Sequence, residues 1–445
     1  MIKLRVWALL FCVLMVATQV FTTTTKQKRP HIVYILADDL GWNDVGFHGS
    51  NAIQTPNIDA LAYSAALMTG KYPIRTGMQH FVLYELGYTN HMVGKWHLGH
   101  YKKKYTPLYR GFHSHLGFWT GRQDFYDHTA CENGTWGLDM RRGMDVAYDL
   151  HGEYSTDVFT LKATSLIRDH DPSKPLFLYM SHAAMHSGNT YSPIPVSEQL
   201  SATMFPHIQD YHRRRYAVAL YKLDQSVGSL VEALSERKML EDTIIIFTTD
   251  NGGPAAGFNI NAASNWPLKG VKSTLWEGGV RGASLVWSTA FKNPGRVSTQ
   301  LMDITYWLPT LLSAASNKSI DTKSHKLDGH DVWDSLVSDK PFSNTTILHN
   351  IDPIDGNAAL RHGKWKYVNE VLKDLQNRLN EISKTAEPPG NLPLYERGNP
   401  EHWSYVWTNF GDHLNLSDDI KPQGEPLLPI TEAVFACTRN GGKLF

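Results

Sequence analysis

Cysteine is scarce in this chain: three residues in 445, namely Cys12, Cys131 and Cys437. So few exclude a disulfide-stapled scaffold, and a long cysteine-free stretch separates Cys12 from Cys131. Net charge is lacking too, with 43 Lys plus Arg against 43 Asp plus Glu. That balance excludes a broad basic field for nucleic acid, so any grip on an anion has to come from local groups. Beyond the first residues no apolar run is long enough to cross a bilayer. Internal repeats and low-complexity linkers are absent as well. What remains is a globular composition, 42% hydrophobic and 11% aromatic, in a chain long enough for one large domain and a smaller one.

At the start, Lys3 and Arg5 precede a short apolar run, Val6 to Val16, followed by small and hydroxyl residues. This pattern predicts a secretory signal peptide over residues 1–24 and no membrane span once it is removed. Cys131 and Cys437 then remain, to pair or to stay free; both readings are open. Asn133, Asn317, Asn344 and Asn415 each head an N-x-S/T sequon. Four sequons behind a signal predict a glycoprotein of the secretory pathway, destined for the lysosome or the extracellular space.

Strand and helix signals alternate along the chain as in an α/β fold with a large, mostly parallel sheet flanked by helices. His31 to Ala37, Tyr88 to Val93, Pro175 to Met180 and Thr243 to Phe247 read as buried strands, and Val280 to Trp287 as another. Ser155 to Ile167 and Tyr211 to Arg237 carry helical periodicity. The runs Arg213-Arg214-Arg215 and Lys102 to Lys104 read as solvated. Near residue 350 the character changes. Ala358 to Arg361, His362-Gly363 and Lys364 to Val368 predict a hairpin. The expected division is a large α/β domain over residues 29–350 and a small antiparallel α+β domain over 351–445. One break interrupts the alternation. A helix opened by Thr55-Pro56 and running through Ala62 meets a second helical stretch, Ser64 to Met68, with no strand between them.

Ligands of open α/β sheets sit beyond the carboxyl ends of the strands. Asp38 and Asp39 follow one core strand; Asp250 and Asn251 follow another. Three carboxylates and an amide offer only oxygen donors, which suits Ca2+, or Mg2+, rather than zinc. Crowded together they would repel one another without a cation. Either pair alone reads as a polar turn; the two together predict a metal site. Lys95 and His97, two apart after a third strand, are placed to point to one side. His186 follows a fourth strand, and Lys272 comes soon after the Asp250-Asn251 pair. A sulfate or phosphate ester needs positive charge on its non-bridging oxygens and a proton donor for its leaving oxygen, which lysine and histidine supply.

Six segments, in order, resemble the sulfatase family: ADDLGWND from Ala37, TPNIDALA from Thr55, TGKYPIRTG from Thr69, GYTNHMVGKWHLG from Gly87, TTDNGG from Thr248 and WPLKGVKSTLWEGGVRG from Trp266. The fourth and sixth are most similar to the arylsulfatase B-like branch. The resemblance implies an alkaline phosphatase-like fold. It implies calcium held by Asp38, Asp39, Asp250 and Asn251, and sulfate gripped by Lys95 and Lys272. His97 and His186 would orient the nucleophile or protonate the leaving alcohol. The implied reaction is hydrolysis of a sulfuric ester, an aryl sulfate or the 4-sulfated N-acetylgalactosamine of a glycosaminoglycan, by a formylglycine made from cysteine.

The chain departs from that pattern at one decisive place. The formylglycine cysteine, in a C-x-P-x-R motif, belongs between TPNIDALA and Ala65-Ala66-Leu67-Met68, yet Tyr63-Ser64 joins those blocks directly. The core strand ahead of the motif is missing with it, from the middle of the sheet, which accounts for the broken alternation. A second shortening is expected at residues 80/81, and the stretch from Ala433 lacks a closing strand and helix for the small domain. Ser64 and Thr69 are nearby hydroxyls that a metal-dependent phosphodiesterase would use, but Ser64 aligns nearer the missing arginine than the cysteine. The expectation is a sulfatase family member, resembling an exon-skipped isoform, that does not turn over sulfate esters. The rivals are a pseudoenzyme that binds sulfated glycans and a phosphodiesterase.

Overall fold

The computed structural model describes residues 28–62, 82–132, 134–255, 257–298, 300–319, 321–322, 327–343, 346–352, 357–368 and 395–413. Ten strands come from the first 300 residues: β1 (His31–Ala37), β2 (Thr89–Lys95), β3 (Ser114–Phe118), β4 (Thr129–Glu132), β5 (Thr135–Leu138), β6 (Arg141–Arg142), β7 (Asp145–Val146), β8 (Leu176–Ser181), β9 (Thr243–Thr249) and β10 (Ser284–Trp287). Eight of them form one sheet in the order β10-β9-β1-β8-β2-β3-β6-β7, while β4 and β5 pair as a separate hairpin. The run β9-β1-β8-β2-β3 is parallel throughout. β10, β6 and β7 add antiparallel edges.

Both faces of the parallel run are covered, which is why its strands read as continuous apolar segments. Along β1, Val33, Ile35 and Ala37 join one core cluster; Ile32 and Tyr34 join the other. Helix α1 (Pro56–Ala62), α2 (Ser155–Asp169) and the 26-residue α3 (Tyr211–Glu236) contribute to the first cluster. Helix α4 (Trp307–Ser316) supplies Trp307, Leu311 and Leu312 to the second. Asp210 caps α3 by accepting from the Arg213 amide. Buried Asp224, inside α3, accepts from the Ile58 amide and the Asn57 side chain, so one helix satisfies the open N-terminus of another.

The strand loss expected from the sequence leaves no gap within the parallel run: each of its five strands is hydrogen-bonded to the next, and among the described residues the sheet ends at β10 on one side and β7 on the other. Two other expectations are corrected. Residues 280–283 are not strand; Glu277–Val280 is a helical turn, because Gly278 and Gly279 pack backbone to backbone against residues 269–274, and β10 starts only at Ser284. Nor is the arginine run solvated. Arg213 pairs with buried Asp44 at 2.6 Å, and Arg215 is itself buried, donating to the Ile194 carbonyl and pairing with Glu198.

The small antiparallel sheet is present as β11 (Thr346–Asp352), β12 (Asn357–His362) and β13 (Trp365–Val368). Its Arg361 and Lys366 both reach Glu277 of the large domain, at 2.5 and 3.0 Å. Residues 395–413, which the sequence-based boundary assigns to the small domain, bond to the large one. Leu138 donates to the Tyr405 carbonyl, Trp407 to Leu138, and Gly411 to Tyr101. No helix among the described residues is long and apolar enough to cross a membrane.

Candidate functional site

Sheet register assembles the site. Ala37 of β1 lies opposite Thr249 of β9, so the next residues of each chain, Asp38-Asp39 and Asp250-Asn251, leave the sheet side by side. Leu36 lies opposite Ser181 of β8, and Ser181 opposite Gly94 of β2. Lys95 therefore emerges two strands from Asp38. Gly94 has φ +100, and a Cβ there would sit 1.8 Å from the Ser181 carbonyl oxygen, so only glycine permits that close approach.

Seven of the eight sequence-predicted residues meet. Lys95 Nζ donates to Asp38 Oδ2 at 2.5 Å and Lys272 Nζ to Asp39 Oδ1 at 2.7 Å. Asn251 Nδ2 donates to the same Asp39 oxygen at 2.9 Å, and Asp250 Oδ1 accepts from the Asp39 amide at 3.1 Å. His186 Nε2 lies 3.7 Å from Asp39 Oδ2. His97 is the exception. It turns into the left-handed region at φ 53 and lies over Gly121, where a Cβ would come within 2.6 Å of its ring. The two-residue alternation from Lys95 stops at the strand end, which is why the two side chains do not share one direction.

The charges are heavily shifted. Burial raises Asp38, with Asp39 adding to it and Lys95 opposing. Burial would raise Asp39 as well, but His186 and Lys272 outweigh it and hold that carboxyl down. Asp250 stands at the mouth of the cluster with protein on its other sides. Loss of solvation, together with the Asp38 and Asp39 charges, pushes it up to about 7. His97 falls to about 4 and His186 to about 3, chiefly through burial and helped by the two lysines, so both imidazoles are neutral at pH 7.

Asp38, Asp39 and His186 together form a donor set that would accommodate a cation. Asp38 Oδ1 is buried and accepts no hydrogen bond. His186 Nδ1 must donate to the Ser187 carbonyl, 2.9 Å away, which leaves the Nε2 lone pair facing a carboxylate oxygen. Atoms of Asp38, Asp39 and His186 lie within 4.8 Å of one another. Such a cluster of lone pairs favours a positive charge at its centre.

Sequence reasoning gave no role to the residues that hold these loops. Asp44 accepts from the amides of Gly41 and Ser264 and from the Tyr216 hydroxyl, pinning the turn after Asp39. Asn265 does the same for the other turn, accepting from the Gly253 amide and donating to its carbonyl. Asp44 ends the first family segment and Asn265 precedes the sixth; position beside a motif was the only signal.

A family model described as Sulfatase matches residues 81–317, more than half of the chain. Arylsulfatase J of Mus musculus is 38% identical over 389 residues, covering 77% of this chain and 62% of that protein. N-acetylgalactosamine-6-sulfatase of Rattus norvegicus is 30% identical, covering 82% of this chain and 79% of the relative. The chain belongs to the sulfatase family. Among solved structures, Ps i-CgsB in complex with k-i-k-neocarrahexaose is similar at a TM-score of 0.65 and 26% identity, covering 80% of this chain and 90% of that one. Its sheet and flanking helices correspond to the alkaline phosphatase-like fold expected for a sulfatase.

Not all of the other expected positions are among the described residues. Ser64 and Thr69, Cys12 and Cys437, Asn133, Asn344 and Asn415, and residues 1–24 fall outside the described residues. Cys131 is buried on β4. Asn317, the C-cap of α4, is exposed.

Proposed function

We propose that this chain binds the sulfate group of a sulfated glycan at the strand ends and does not hydrolyse it. The observation that carries the reading is the convergence of Lys95, Lys272 and neutral His186 on Asp38 and Asp39. No cysteine between Cys12 and Cys131 stands ready as a nucleophile beside them. Lys95 and Lys272 would exchange their carboxylate partners for sulfate oxygens. His186, uncharged at neutral pH, would hydrogen-bond the ester oxygens without adding charge. Asp38, Asp39, Asp250 and Asn251 would hold calcium, which neutralises the carboxylates and draws an anion toward them. A family cysteine would supply the attacking group; here the site orients the ester and nothing attacks it.

The substrate class we favour is 4-sulfated N-acetylgalactosamine in a glycosaminoglycan chain, handled in the lysosome or outside the cell by a glycosylated protein. A relative named as N-acetylgalactosamine-6-sulfatase supports sulfated sugars in general. The test uses the purified chain with calcium. Calorimetry with a chondroitin sulfate oligosaccharide should show binding that Lys272→Ala abolishes, and an aryl sulfate should release no product. Turnover that persists in the purified protein, or a folded protein that gives no binding heat, overturns this function.

A further inference from the structure

The loop that delivers Lys272 also exposes two tryptophans and a lysine that the sulfate grip does not use. Trp266 is 71% exposed and Trp276 43%, high values for the largest apolar side chain. Lys269 Nζ lies 3.8 Å from the centroid of the Trp276 ring. Among the described residues that ammonium faces no carboxylate, whereas Lys95 and Lys272 each have one.

Both tryptophans are anchored beside the anion site. Asn265, next to Trp266, is bonded in both directions to Gly253, two residues after Asn251. Gly278, two residues after Trp276, packs against Gly252 so closely that a Cβ on Gly252 would lie 1.9 Å from the Gly278 carbonyl oxygen. The Gly278 amide in turn donates to the Lys269 carbonyl at 2.7 Å. Lys269 and Lys272 are three residues apart, so their Cα atoms lie within about 11 Å. Arg281 adds positive charge on the same segment, stacked 4.4 Å over Trp42.

Deepening the proposed function, and resting on it, we propose that Trp266, Lys269 and Trp276 form a second subsite for the neighbouring sugar of the glycan. The indole faces suit the C–H face of a pyranose, and the Lys269 ammonium suits a carboxylate or sulfate on that ring. The preferred ligand is then an anionic oligosaccharide of more than one residue. A lone sulfate or an aryl sulfate fills the strand-end grip and leaves the subsite empty.

The test compares two probes on the calcium-loaded full chain: inorganic sulfate and a chondroitin sulfate tetrasaccharide. Lys269→Glu and Trp276→Ala should each weaken tetrasaccharide binding roughly tenfold and leave sulfate binding unchanged. Trp266→Ala, which removes a side chain that is 71% exposed, should weaken the tetrasaccharide in the same selective way. Tetrasaccharide affinity that all three variants retain overturns the subsite, as does a loss equal for both probes. Lys272→Ala separates the two proposals. If it leaves affinity for both probes intact while the rim variants still lose the tetrasaccharide, the strand-end grip fails and the rim alone binds the glycan.

Discussion

Asp38 concentrates the tension of this site in one side chain. One oxygen is held by Lys95 while the other is buried without a hydrogen bond. An orphaned carboxylate oxygen costs on the order of 1–3 kcal/mol, and more when charged, unless something positive meets it. Calcium binding should therefore stabilise the fold measurably, by about 2.7 kcal/mol at a hundredfold excess over the dissociation constant. The check is thermal unfolding with calcium and with a chelator. Asp38→Asn should erase most of the calcium-dependent rise in Tm. An unchanged rise in that variant would move the ion elsewhere. Lys272 gives the complementary residue-scale effect: its neighbours Asp39, Asp38 and Asp250 raise its pKa despite burial, so it stays an ammonium at any physiological pH. Salt, not pH, should weaken its hold on a sulfate.

At the scale of elements, the strand end after β8 carries His182, fully buried against α3. Its Nε2 meets the Ser226 hydroxyl at 3.2 Å and its Nδ1 has no partner. Burial lowers this imidazole to about 3. An unfolded histidine takes its proton near 6.5, so acid favours the unfolded chain. Stability is complete above about 6.5 and is lost as pH falls toward 3; at pH 5 the loss is about 2 kcal/mol from His182 alone. His31, His91 and His115, each lowered to about 4 by burial, act in the same direction. Melting temperature should thus fall from pH 7 to pH 5, and His182→Gln should flatten that slope whatever it does to the absolute value. A slope identical in the variant would remove His182 from the account. The same elements show how much the sequence discloses. The apolar runs of β1, β8 and β9 were legible because burial on both faces leaves no polar alternation to confuse them. The clustering of Asp38, Asp39, Asp250 and Asn251 was legible because these residues sit at strand ends. Three things were not. His97 leaves the common face through a left-handed residue that no composition signals. Arg213 and Arg215 find partners at Asp44 and Glu198, far away in sequence, where a run of charge looks solvated. Where an expected strand loss would fall in the sheet depended on strand order, which local pattern does not encode.

For the whole molecule, the question is what couples the small sheet to the site. Glu277 is the junction. It sits in the turn just after Lys272 and Trp276, and accepts from Arg361 of β12 and Lys366 of β13. Burial opposes its charge, but Lys366 and Arg361 hold its pKa below the ordinary value. Both cations are largely enclosed, at 14% and 11% side-chain exposure. Removing the carboxylate leaves them facing each other in a poorly solvated place. Breaking a buried pair from one side costs about 3–5 kcal/mol, whereas replacing all partners with apolar groups is often near neutral. Glu277→Gln should therefore destabilise the chain by a figure of that order, less whatever the carboxylate, 29% exposed, loses to solvent screening. A triple replacement, Glu277→Gln with Arg361→Met and Lys366→Met, should recover much of it. Hydrogen exchange locates the effect. In Glu277→Gln, amides of β11 to β13 and of the turn at residues 269–279 should exchange faster together, while those of β1 and β9 keep their protection. Faster exchange confined to the small sheet would mean that it hangs on the large domain without steadying the loop that carries Lys272.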